Sequence, residues 1–171
     1  MRKKIVILFL VLTAGFSFAQ DDLKETTLIN VGDNLPKFTA KALNGNDLTS
    51  DELTGKVVLI TFWATWCGPC KAEMPFIQKD IYEKINDSNF VIAAISRGEE
   101  KEIVKKFIDL NKYPFPIYLD KEAAVYNLFA SKYIPRNFVI GKDGKVKWTS
   151  VGFKHEEFAE MVNTINDELA K

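Results

Sequence analysis

Residues 56–63, KVVLITFW, form a nearly unbroken apolar run rich in β-branched and aromatic side chains. A strand of this kind has no polar face to offer water, so it belongs inside a sheet covered on both sides. Just beyond it, after Ala64-Thr65-Trp66, comes Cys67-Gly68-Pro69-Cys70. A helical period follows, with Met74, Ile77, Ile81 and Ile85 on one face. A buried strand that feeds straight into an amphipathic helix steers the chain towards a layered α/β architecture.

The helix is expected over 68–86, with a kink at Pro75, whose ring lacks the N–H that the helical ladder needs. Residues 89–95, NFVIAAI, read as a second buried strand. A helix over 99–110 is expected to turn Ile103, Phe107 and Leu110 inward. After the loop KYPFP come a short strand at Ile117-Tyr118-Leu119 and a short helix over 121–129. Strands at 137–140 and 146–148 flank Lys142-Asp143-Gly144 as a hairpin, and the last helix carries Phe158, Val162, Ile165 and Leu169 on one face. Near the start, Asn44-Gly45 marks a further hairpin between residues 37–43 and 47–49. The expected fold class is α/β, a central mixed sheet with helices on both faces and an added N-terminal β-hairpin, in one domain over 32–171. No internal repeat or linker divides it.

Residues 1–19 differ from the rest. Arg2, Lys3 and Lys4 precede an apolar stretch, and Ser17 and Ala19 occupy the −3 and −1 positions of a cleavage site, so 1–19 reads as a cleavable signal peptide. The uncharged stretch is short of the roughly 20 residues a membrane span needs; an uncleaved N-terminal membrane anchor is the alternative. No Cys follows the stretch, so a lipoprotein anchor is not expected. Residues 20–31 are expected to be a flexible tail. The mature protein is then placed outside the cytoplasm, in an oxidising, periplasmic space. The 171-residue chain balances 23 basic against 23 acidic residues, leaving no global basic field for nucleic acid.

The cysteine pair admits several readings. A structural disulfide closing so short a loop stabilises by only about 2 kcal/mol, against about 4–5 for a loop of order 100 residues. A metal site needs ligands that two Cys and one His do not supply. Haem attachment requires His after the second Cys, where Lys71 stands. The reading that remains is redox catalysis. The exposed N–H groups and dipole of a helix N-terminus favour a thiolate there. Cys67 is the expected nucleophile, Gly68 allows another chain to approach, and Pro69 fits the first helical turn. Cys70, one turn deeper, is placed to attack a mixed disulfide.

The segment Phe62-Trp63-Ala64-Thr65-Trp66-Cys67-Gly68-Pro69-Cys70 resembles the active-site segment of the thioredoxin family. Three further stretches resemble its TlpA/ResA-type branch, which is related to the AhpC/TSA redoxins. They are Gly32-Asp33 with Leu35-Pro36 and Phe38, Gly55 to Leu59, and Lys71 to Pro75 after the cysteines. Tyr133-Ile134-Pro135-Arg136 with Phe138-Val139-Ile140 and Asp143-Gly144 continues the likeness, which covers nearly all of 32–169. The resemblance implies a thioredoxin-like fold. It also makes Pro135 a cis-proline opposite the cysteines, where the backbone of Ile134 pairs with an extended substrate.

For Glu73, spacing alone leaves a solvated helix carboxylate and a partly buried one beside the sulfurs equally open; the resemblance puts a functional Glu there, moving a proton to and from Cys70. Thr61 stands where thioredoxin carries a buried Asp, which leaves carboxylate duty to another position. Trp66 is expected half-exposed beside Cys67, covering the sulfur or touching substrate; the alternative is that it simply closes the core. Trp63 and Trp148 are read as core, Lys71 and His155 as surface, and 99–106 as a mixed-sign solvated helix face with no partner.

By resemblance the chain is an extracytoplasmic thiol–disulfide oxidoreductase that reduces protein disulfides. It needs no cofactor beyond the Cys67–Cys70 pair, and a membrane-embedded thiol transporter supplies its electrons. Apocytochrome c in cytochrome c maturation, or other exported Cys proteins, are the implied clients. The Gly-Pro dipeptide, shared with reducing thioredoxins, favours a reductant. Two alternatives stand beside this. One is a thiol peroxidase of the peroxiredoxin-like type, for which Thr65 is present but no Pro lies between Gly55 and Cys67. The other is a non-catalytic binding module.

Overall fold

The computed structural model describes residues 25–171; the expected signal peptide and the first part of the expected tail lie outside the described residues. In chain order the elements begin with β1 (Thr39–Ala42), β2 (Leu48–Thr49), a 3₁₀ turn at Ser50–Leu53, β3 (Val57–Trp63) and α1 (Gly68–Phe76). A π-helical segment, Ile77–Tyr82, continues α1. Next come β4 (Phe90–Arg97), α2 (Lys101–Asn111), β5 (Ile117–Asp120) and α3 (Tyr126–Phe129). The chain finishes with β6 (Arg136–Ile140), β7 (Val146–Val151) and α4 (His155–Leu169).

The strands form one seven-stranded sheet in the order β2-β1-β5-β4-β3-β6-β7. β4 lies parallel to both β3 and β5, and the remaining pairs are antiparallel. This is the expected mixed sheet with its N-terminal hairpin, here extended by pairing of β1 with β5.

All of β3 is buried. Its side chains alternate in period 2. Val57, Leu59 and Trp63 join Met74 and Ile77 of the first helix, Val104 of α2, and Met161 and Ile165 of α4. Val58, Ile60 and Phe62 join Leu53, Tyr126, Phe129 and Phe138 on the opposite face. One apolar run thus supplies two cores, which is why it lacks a polar stripe.

Pro75 acts on α1 in an unexpected way. It has no N–H to return to the helical ladder, and the chain continues past it with a widened π turn, where the N–H of Glu83 reaches the carbonyl of Gln78 at 2.9 Å. Ile77 and Ile81 stay buried through this change, but the helix stops at Tyr82, short of residue 86.

Three other expectations are corrected. In α2 the inward stripe is Val104 with Phe107 and Ile108, while Ile103 and Leu110 are 51% and 74% exposed. Both lie beside the stripe, outside the contact with the sheet. The helix expected over 121–129 shrinks to α3, because Asp120 accepts from the N–H groups of Val125 (3.1 Å) and Tyr126 (2.7 Å) and so fixes a turn before it. The ordered chain also begins before Gly32. The N–H of Leu28 donates to the Phe129 carbonyl at 2.9 Å, and Thr27 pairs with Ala130. The fully buried guanidinium of Arg136 donates to the hydroxyls of Thr26 and Thr27 and to the Lys132 carbonyl. Composition around residues 26–28 gives no hint of this, because the partner is more than a hundred residues away.

Candidate active site

β3 runs out at Trp63 and the chain turns through Ala64-Thr65-Trp66 into Cys67, the N-cap of α1. Cys67 has extended backbone (φ −80°, ψ 110°), as an N-cap requires. The Cys70 N–H donates to its sulfur at 3.2 Å. Pro69 occupies the first turn, where an N–H has no helical acceptor. The two sulfurs are joined as a disulfide, with Cα atoms 5.3 Å apart. Cys67 is 4% exposed and Cys70 fully buried, so the first sulfur is the one nearer solvent. A Cβ built on Gly68 meets nothing within 4 Å, which leaves open space above the pair.

The loop before β6 closes on this end of the helix. The Ile134–Pro135 peptide bond is cis. The Ile134 carbonyl oxygen lies 3.6 Å from the Cys67 sulfur. Tyr126 donates its hydroxyl to the Tyr133 carbonyl at 2.7 Å, and the Gly152 N–H donates to the Pro135 carbonyl at 2.9 Å, so the loop is held from α3 on one side and β7 on the other. Trp66 is 65% exposed, an open aromatic surface next to Cys67. Trp63 is buried core, as expected, and the ring of His155 rests on Phe76 and Phe153.

Glu73 is a buried carboxyl on α1, three residues past Cys70. In helical geometry such residues are neighbours, with Cβ atoms about 5–6 Å apart. Burial pushes the Glu73 carboxyl up to about 8, and the amide of Asn137, donating to Oε1 at 2.6 Å, pulls in the opposite direction. Such a group holds its proton near neutral pH and can give or take it there. Of the two readings its spacing left open, the buried one is what the structure shows.

Two residues around the site escape the sequence reading. Glu99 falls in the stretch read as solvated, yet it is buried. Its carboxylate accepts from the Thr65 N–H (2.8 Å), the Thr65 hydroxyl and the Ser96 hydroxyl (3.0 Å). It thereby fastens the turn that presents Trp66 and Cys67. The available signal was its place at the carboxyl end of a strand parallel to β3, where loops of α/β sheets converge on sites. Asn137 is the second. Register aligns Thr61, Asn137 and Ser150 across β3, β6 and β7 as a row of uncharged polar side chains. No signal within the local sequence marks it. Among the described residues no cluster of three or more His, Cys, Asp or Glu is arranged to hold a metal ion.

Comparison with known proteins decides the family. The Redoxin family model matches residues 30–168, from the segment before β1 to the end of α4. The chain belongs to the Redoxin family. Among its relatives, thiol-disulfide oxidoreductase ResA of Bacillus cereus is 31% identical over 156 residues, covering 91% of this chain and 90% of the relative. ResA of Geobacillus thermodenitrificans is 32% identical over 155 residues, covering 91% and 88%. The solution structure of a candidate protein disulfide isomerase from Bacteroides thetaiotaomicron superposes with a TM-score of 0.81 at 36% identity, covering 85% of this chain and 94% of that one. StoA from Bacillus subtilis gives 0.62 at 25% identity, covering 75% and 96%. The fold is thioredoxin-like, and this Redoxin-family chain is a thiol–disulfide oxidoreductase whose chemistry runs on a cysteine pair rather than a bound cofactor.

Proposed function

We propose that the protein reduces disulfides of other proteins outside the cytoplasm, with Cys67 as nucleophile, Cys70 as resolving thiol and Glu73 as the proton acceptor for Cys70. The observation that carries this is the assembly at one helix end. The less buried sulfur caps α1, the Cys70 N–H is aimed at it, the Ile134 carbonyl lies beside it, and a buried carboxyl sits one turn behind Cys70.

The steps follow from that arrangement. In the reduced protein the Cys67 thiolate attacks one sulfur of a client disulfide. A Cys67–client bond forms and the second client sulfur leaves with the electron pair and gains a proton. Cys70 gives its proton to Glu73 in its ionised form, which is close in energy to the protonated form when the carboxyl titrates near 8, and its thiolate attacks Cys67. The Cys67–Cys70 disulfide forms and the client leaves as a dithiol, reduced by two electrons. An extended client strand lies against Ile134 and Pro135, pairing with the Ile134 backbone, while Trp66 and the open flank at Gly68 and Pro69 receive its side chains.

The leader supports a periplasmic setting, and the chain belongs among relatives named ResA. No helix of the described residues is long and apolar enough to cross a membrane. In an oxidising compartment the pair needs an electron source, which we assign to a membrane thiol transporter, and the clients to apocytochrome c or other exported Cys proteins. Covalent trapping tests this. Cys70→Ser stalls the mixed disulfide, so exported Cys proteins are recovered from the periplasm joined to Cys67 and released by dithiothreitol. If the variant traps nothing, and the intact protein fails to reduce insulin with a dithiol supplied, the reading is wrong.

A further inference from the structure

Asn137 sits in β6, two residues past the cis-proline, and is buried. Its amide offers two N–H donors on one end and one carbonyl on the other. Nδ2 lies 2.6 Å from Glu73 Oε1 and 3.4 Å from the Ser150 hydroxyl oxygen. Oδ1 is buried and has no partner among the described residues. A buried carbonyl without a donor is destabilising. An amide kept at that cost is held for what its N–H end does. With Glu73 ionised, the state that accepts the Cys70 proton, turning the amide round sets its carbonyl against a carboxylate oxygen and moves both N–H groups to where Oδ1 now has no partner, so the NH₂ end faces Glu73.

That orientation makes the two oxygens of Glu73 unequal. Oε1 faces a group that only donates, so a proton there meets an N–H. Oε2 carries no such restriction. We propose that Asn137 is a positioning residue that reserves Glu73 Oε1 for its own amide and leaves Oε2 as the oxygen that takes the Cys70 proton and gives it back. This rests on the role given to Glu73 above. The Cys70 thiol loses its proton to Oε2, and its thiolate forms the bond to Cys67 as the Cys67–client bond breaks. The departing client sulfur takes up one proton, and the count is restored when Oε2 releases its own.

The surroundings keep other charges out of this exchange. Thr61 of β3 and Ser150 of β7 are uncharged. Arg136 of β6 points to the opposite face, towards Thr26 and Thr27. On α4, His155 rests on Phe76 and Phe153, and Lys154 pairs with Glu157 at the surface. Burial and the Asn137 amide are the influences acting on the Glu73 carboxyl. The Cys70 thiol, three residues back on α1, is the titratable group that exchanges with it.

Two measurements test the assignment. In the reduced but otherwise unaltered protein, the Asn137 side-chain amide resonances are expected to shift through the same pH range as the Glu73 carboxyl carbon. In a Cys67→Ser background, the pH profile of Cys70 alkylation is expected to move upward by about one unit when Asn137→Leu removes the donor that favours the ionised carboxyl. An amide that stays still while Glu73 titrates overturns the proposal. So does an unmoved profile in a folded Asn137→Leu protein, even with a lowered melting temperature. Should Asn137→Leu fail to fold, the resonance measurement decides alone. If Glu73→Gln itself leaves the Cys70 profile unchanged, the fault lies in the role of Glu73; if Glu73→Gln moves the profile and Asn137→Leu does not, only the present inference fails.

Discussion

The N–H of Cys70 points at the sulfur of Cys67 from 3.2 Å, while Cys70 itself is fully buried. The peptide dipole that ends at one cysteine is supplied by the other, so the two thiols of the reduced protein are unequal by construction. Iodoacetamide at neutral pH is therefore expected to label Cys67 in a fast phase and Cys70 slowly. Cys67→Ser should abolish both the fast phase and insulin reduction. Equal labelling rates, read by peptide mass spectrometry, would contradict this.

Glu73 makes stability depend on pH in a predictable direction. Its carboxyl ordinarily titrates at 4.5 and is raised to about 8 in the fold. Between those values the folded state holds a proton that the unfolded chain has lost, so stability falls as pH rises through that window. Below 4.5 both states are protonated and the effect vanishes. Glu73→Gln removes the titration, and its stability relative to the parent should rise across the window by on the order of a few kcal/mol. Urea denaturation of both oxidised proteins at several pH values measures it; parallel curves would count against a buried carboxyl.

Glu99 fastens the turn before Cys67 through Thr65 and Ser96. Glu99→Gln exchanges one accepting oxygen for a donor and removes the charge from the hydrogen bonds that Thr65 and Ser96 donate, at about 1–3 kcal/mol. Displacement of the turn should also lower kcat/KM for a disulfide substrate by about tenfold to a hundredfold. If denaturation shows the loss but kcat/KM is unchanged, Glu99 serves the fold alone.

Residues 25–31 are part of the folded unit. A chain starting at residue 32 loses the Thr26 and Thr27 hydroxyls that receive the buried Arg136 guanidinium. It should be less stable than a chain starting at residue 20 by at least about 1–3 kcal/mol. Matching urea midpoints for the two chains would show that the hydroxyls contribute nothing.

What the sequence disclosed was whatever lies within a few residues of itself. β3 announced its burial because its seven consecutive side chains are all buried and six of them are apolar, facing one core or the other. The N-cap cysteine, the first-turn proline and the Lys142-Asp143-Gly144 turn are local chemistry as well. Glu99 and Asn137 stayed hidden because their burial depends on register between strands distant in the chain. Asn137 meets Glu73 across 64 positions, and Thr65 meets Glu99 across 34. In α2 the period was legible, but Ile103 and Leu110 are apolar without being inward, and only packing against the sheet distinguishes them from Val104. Pro75 signalled an interruption; that it becomes a π turn follows from the need to keep Ile77 and Ile81 in the core.

Of the protein's three tryptophans, Trp63 is sealed in the interior and Trp148 is partly covered, which leaves Trp66 as the indole open to water, immediately before the reactive sulfur. The molecule thus carries its own optical gauge. In the docking proposed above, a client chain settling over Cys67 should strip water from that ring and draw its emission to shorter wavelength, so that each docking event could be followed in real time without a label.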